Sequence, residues 1–124
     1  MTLRLESLTR RFGGHVALDA VSLHVRRGDC YGFLGHNGAG KTTTMRVALG
    51  LERAESGRVI VDGFDAADFP REARARMGGL IETPGFHGHL AGAANLVLLA
   101  RLAGFSRGAA RSEAGRLLEA VGLR

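Results

Sequence analysis

The run GHNGAGKTTT, Gly35 to Thr44, constrains this chain more than any other stretch of it. Glycine at positions 35, 38 and 40 lets the backbone curl tightly enough for successive N–H groups to point inward. An apolar run, CYGFLG, leads directly into the curl, and a helix-like run, TTTMRVALGL, leads directly out and is closed by Gly50. Strand, glycine loop and helix in immediate succession predict an α/β fold.

Gly35-His36-Asn37-Gly38-Ala39-Gly40-Lys41-Thr42 fits the phosphate-loop pattern G-x-x-x-x-G-K-[ST] at every fixed position. In such a loop the inward amides and the positive end of the following helix face the same anion. Lys41 is placed to bridge the β- and γ-phosphates, and the Thr42 hydroxyl to take one position on Mg²⁺; Thr43 follows at the helix start. His36 and Asn37 occupy variable positions, where the backbone lines the cradle. Lys41 is also the single lysine among 17 basic residues. A compact ammonium on a flexible stem reaches between phosphates in a tight loop, where a planar guanidinium does not fit.

The surrounding pattern supplies the other elements. LRLESL, Leu3 to Leu8, and VSLHV, Val21 to Val25, alternate as half-buried strands, and YGFLG forms a third. Arg58 to Val61 is a strand between two glycine turns, Phe69 to Met77 a short helix, and Gly78 to Glu82 a short strand ending on an acid. After a loop, TPGFHGHLAG, two helices span Leu90 to Leu102 and Ser106 to Val121. The order is α/β with an antiparallel strand pair at its front.

Composition excludes several classes. The apolar fraction of 45% and charged fraction of 23% are those of a globular chain. A net charge of +5 invites a nucleic-acid reading, but the arginines are spread from Arg4 to Arg116 and no aromatic-rich strand offers a stacking platform. No nucleic-acid partner is expected; nucleoside triphosphate is the fitting polyanion. The lone Cys30, in an apolar run, reads as a small buried residue and rules out an internal disulfide. With no secretory leader pattern, a cytosolic setting is expected. The richest apolar run, LVLLA, falls well short of the ~20 residues of a membrane span.

From Leu3 to Asp65 the chain resembles the ATP-binding subunit of ABC transporters, carried by LTRRFGGHVALDAVSLHVRRGDCYGFLGHNGAGKTTTM and then ESGRVIVDGFD. MGGLIETPGFHGHLAGAANLVLLARLAG is similar to the corresponding stretch of exporters of the antibiotic-resistance and lantibiotic-immunity type. The resemblance implies a P-loop NTPase core with an antiparallel β subdomain, residues 1–124 being its N-terminal portion. Residues 1–82 would hold the β subdomain and P-loop core, and 83–124 the start of a helical subdomain. It implies ATP and Mg²⁺ as cofactors, with Phe12 stacking on adenine; the alternative is a Phe packed at a strand end. Glu82 falls where most members carry the Gln that contacts Mg²⁺ and the attacking water; the alternative is a solvated acid. The family's Glu-Asn-Leu appears as Ala94-Asn95-Leu96. The nearby His87 and His89 read as surface or interface residues, because a metal site needs more ligands than these two. The implied partners are a transmembrane permease and a second ATP-binding subunit, with the chain cytoplasmic and peripheral on the inner face of the membrane.

Hydrolysis requires parts that the resemblance does not locate. RVIVDG imitates an apolar strand ending in a metal-binding Asp, but Gly63 stands where a catalytic acid should follow Asp62, and no LSGGQ-like stretch occurs. The chain ends at LLEAVGLR, similar to the helix before that signature. The expectation is therefore a truncated ABC ATPase that binds nucleotide without turning it over, with exposed apolar faces and poor solubility. Rival readings are a non-catalytic nucleotide-binding fragment and a stand-alone P-loop kinase. A GTPase is disfavoured, because its N-K-x-D base reader needs a second lysine.

Overall fold

A computed structural model of the chain describes residues 1–81 and 85–123. Glu82, and with it the end of the strand expected at 78–82, lies outside the described residues. The chain divides into two compact units, Met1–Thr83 and Pro84–Arg124.

The first unit is built on a hairpin. Strands β1 (Leu3–Phe12) and β2 (His15–Val25) are longer than the alternation alone indicated, and a two-residue Gly13-Gly14 turn joins them. Gly13 adopts φ 58°, the left-handed conformation that tight hairpins require. β1 pairs on its other side with β3 (Ser56–Val61), which pairs with the short β4 (Phe64–Asp65), giving an antiparallel sheet in the order β2-β1-β3-β4. Leu3 stands opposite Val25 and Val61, and Leu5 opposite Leu23 and Val59, so apolar side chains meet across the sheet.

Leu5 and Leu8 are both buried although three residues apart, which in a regular strand places them on opposite faces. An irregularity between them restores the face: Ser7 takes φ 47°, and its N–H donates to the Ser22 Oγ at 2.8 Å. Helix α1 (Lys41–Ala48) packs Val47 and Ala48 against Leu5, Leu8, Leu18, Val59 and Val61. It ends in a Schellman motif: Gly50 N–H donates to Val47 O and Leu51 N–H to Arg46 O. Helix α2 (Pro70–Ala75) begins on the proline and contributes buried Ala73 to the same core.

Two expected strands are absent from the described residues. Positions 30–35 and 78–81 are extended or irregular and pair with nothing. Their continuous apolarity suits a strand covered on both faces, but apolarity does not supply a hydrogen-bonding neighbour. Tyr31, Phe33 and Leu34 are consequently exposed, Leu34 at 94%. Cys30 is exposed too, against the buried position its neighbours indicated.

The second unit is a helix pair, α3 (Gly92–Leu102) and α4 (Arg107–Ala120), each starting later than its apolar pattern did. Small residues Ala110 and Ala114, one turn apart, are buried in this unit. The Ser106 hydroxyl caps α4 by accepting from Ala109 N–H at 3.3 Å.

A phosphate-loop cleft

The geometry of the glycine loop follows from one close approach. Gly40 is the residue before α1 and sits at φ 82°. A Cβ there would lie 2.3 Å from the Ala17 carbonyl oxygen and 2.9 Å from the Leu18 Cδ2. Only glycine lets β2 lie directly against the start of α1. That contact brings the hairpin tip to the loop, and a cleft of about 300 Å³ opens between them.

Phe12 and Ala17 from the hairpin line this cleft, as does His15, the cross-strand neighbour of Phe12. Asn37, Gly38, Gly40, Lys41, Thr42 and Thr43 line its other wall. Of the residues expected to bind nucleotide, seven therefore meet in one cavity. Gly35 and His36 are tied to it through Lys41, whose ammonium donates to Gly35 O at 2.5 Å and His36 O at 2.7 Å. Ala39 N–H donates to His36 O at 3.1 Å, a turn inside the loop. Glu82 lies outside the described residues.

The charge pattern favours an anion. No side chain caps α1 and no acidic residue occupies its first turn, so its leading N–H groups and dipole face the cleft uncompensated. An ammonium has three donors; loop carbonyls engage two directions, and the third remains for a ligand. Phe12 is 45% exposed, with the Arg10 guanidinium 4.6 Å from its ring centroid.

The metal question can be tested on the donor set. Among the described residues no group of three or more His, Cys, Asp or Glu side chains could hold an ion. One hydroxyl beside a phosphate cradle fits Mg²⁺, which keeps several waters and takes most other ligands from phosphate oxygens. Asp62 is elsewhere. It forms with Gly63 the two-residue turn between β3 and β4, both at positive φ, and its carboxylate accepts from Thr2 N–H at 2.6 Å. That bond, reinforced by the chain's N-terminal charge, holds its pKa below the ordinary value.

Sequence reasoning missed two features. His15 follows from the Gly-Gly turn, which fixes it opposite Phe12. Asn95 is 6% exposed and organises the loop before α3: its Oδ1 accepts from His87 N–H at 2.7 Å, and its Nδ2 donates to the carbonyls of His87, Leu90 and Ala91. An amide inside an otherwise apolar helical run was the available signal.

Comparison with known proteins agrees with this geometry. Residues 18–124 match the ABC transporter family. The chain is 38% identical over 121 residues to the bacitracin transport ATP-binding protein BcrA of Bacillus licheniformis, covering 98% of this chain and 39% of that protein. It is 42% identical over 111 residues to the doxorubicin resistance ATP-binding protein DrrA of Mycobacterium tuberculosis (strain ATCC 25618 / H37Rv), covering 90% of this chain and 34% of that one. A solved structure of an ATP binding subunit of an ABC transporter superposes with TM-score 0.75 at 30% identity, over 87% of this chain and 45% of its own. The chain thus spans between about one-third and two-fifths of the length of those curated relatives. A cleft walled by five of the eight phosphate-loop residues and a family match over 18–124 lead to one assignment: the chain belongs to the ABC transporter family.

Proposed function

We propose that this chain is the nucleotide-binding portion of an ABC transporter ATPase that drives export through a separate membrane subunit. The observation that carries the reading is the cleft itself: Lys41, Thr42 and Thr43 on one wall and Phe12 on the other, beside an uncapped helix start. Inward amides and Lys41 grip the triphosphate, and Phe12 stacks on adenine, a contact that contributes roughly 1–3 kcal/mol. Thr42 and Glu82 are the residues that would hold Mg²⁺, which would supply charge neutralisation on the phosphates. Residues 1–82 form the nucleotide core and 83–124 begin the helical subdomain.

Export and a partner permease are supported by the likeness to proteins named for bacitracin transport and doxorubicin resistance. Among the described residues no helix is long and apolar enough to cross a membrane. We place the chain at the cytoplasmic face, paired with a second ATP-binding subunit. On its own we expect it to bind nucleotide without turnover: no LSGGQ-like stretch occurs in these 124 residues, and Asp62, which ends an apolar strand, has Gly63 in place of a following acid and sits in a hairpin turn against Thr2. Phosphate release from Mg-ATP by this 124-residue chain is expected at the buffer background. Release well above it, and abolished in Lys41→Ala, overturns the binding-only claim.

A further inference from the structure

We propose that Arg10, held by Glu52, is a positioning residue for the Phe12 ring and so tunes recognition of the base. The inference rests on the base-stacking reading of Phe12. Arg10 and Phe12 stand two apart near the end of β1, and the guanidinium carbon lies 4.6 Å from the ring centroid. An aromatic ring offers two faces. The cation takes one, held by the ring's negative quadrupole, and leaves the other to a planar base.

The guanidinium is itself fixed. Its Nη2 donates to Glu52 Oε1 at 2.7 Å, in a pair whose side chains are only 24% and 27% exposed. Glu52 lies four residues beyond the end of α1, where its own N–H and that of Leu51 both donate back to Arg46 O in the helix. The contact therefore runs from Phe12 through Arg10 and Glu52 to the helix whose other end carries the phosphate loop. A second tie secures the same strand end: Arg11 N–H and Nη1 donate to the two oxygens of Glu55, and Glu55 N–H donates to Thr9 O. Arg10 Nε is buried without a partner among the described residues. The side chain is thus not placed where it satisfies the most hydrogen bonds; it is placed against the ring.

Base recognition and phosphate recognition can be separated by ligand. ATP reports on both, and inorganic tripolyphosphate on the loop alone. Calorimetric affinities for each would be measured for the chain and for Phe12→Ala, Arg10→Met and Arg10→Lys. Phe12→Ala is expected to weaken ATP at least about fivefold, the loss of one stacked base. Arg10→Met is expected to weaken ATP about two- to fivefold, the span of an exposed cation–π contact. Arg10→Lys, which keeps the charge, should recover part of that loss, and tripolyphosphate affinity should stay constant throughout. If Phe12→Ala weakens ATP while Arg10→Met does not, the positioning role fails and the stacking reading stands. Equal losses for ATP and tripolyphosphate in Arg10→Met mark an architectural role and also overturn it. No effect in Phe12→Ala overturns the stacking reading itself.

Discussion

At the scale of single residues, the most informative positions are those whose backbone leaves no choice. Gly40 combines φ 82° with the Ala17 carbonyl 2.3 Å from where a Cβ would sit. Gly40→Ala is expected to cost about 2 kcal/mol, read from the denaturant midpoint, because a left-handed penalty and a backbone clash act together. A change below a few tenths would mean that β2 does not lie on the loop. Asp62 offers a pH test. Its folded pKa is depressed by the Thr2 N–H bond, so its contribution is present above the unfolded pKa and fades as pH falls through the folded value. Asp62→Asn keeps an acceptor and tolerates the turn but removes the charge. Unfolding midpoints should therefore fall less steeply in the variant as the pH drops below the usual carboxylate range, and identical acid limbs would refute the assignment. Lys41, Thr42 and the glycines were legible in the sequence because their chemistry is local. Arg10 and His15 were not, because their meaning lies in what the hairpin sets beside them.

Elements were legible where the pattern carried its own stop signals. Gly50 closes α1 and glycine turns bound β3, as read, whereas the Gly13-Gly14 turn went unread, so β1 and β2 were expected only over 3–8 and 21–25. Position 30–35 misled because a strand is a relation between two segments, and apolar composition describes only one of them. The loop before α3 was legible as a loop but not as an ordered one. Asn95 gives it structure by bonding three carbonyls and one amide from a nearly buried site. Removing it leaves several of those groups short of partners, at about 1–3 kcal/mol for each one left buried. Asn95→Ala should therefore raise hydrogen exchange at the His87 amide by an order of magnitude or more, with β1 amides unchanged. Retained protection at His87 would show that the loop is ordered by something else.

At the scale of the whole molecule, the two units differ in how much they bury. The first has a contiguous core from Leu5 to Ala73, while the second, among the described residues, buries only Asn95, Ala110 and Ala114. Large apolar side chains remain exposed in both, among them Leu34, Leu80, Leu102 and Val121. The family and the mixed α/β architecture were readable from ordered blocks of sequence, and the match over residues 18–124 agrees. The central claim concerns one cleft in the first unit, where a curled backbone and one ammonium receive a triphosphate. Its most direct test is equilibrium binding of a fluorescent ATP analogue to the chain and to Lys41→Ala. The account predicts a loss of about tenfold or more, as expected for removing a charge-assisted contact to phosphate. Equal affinity in the two proteins would contradict it.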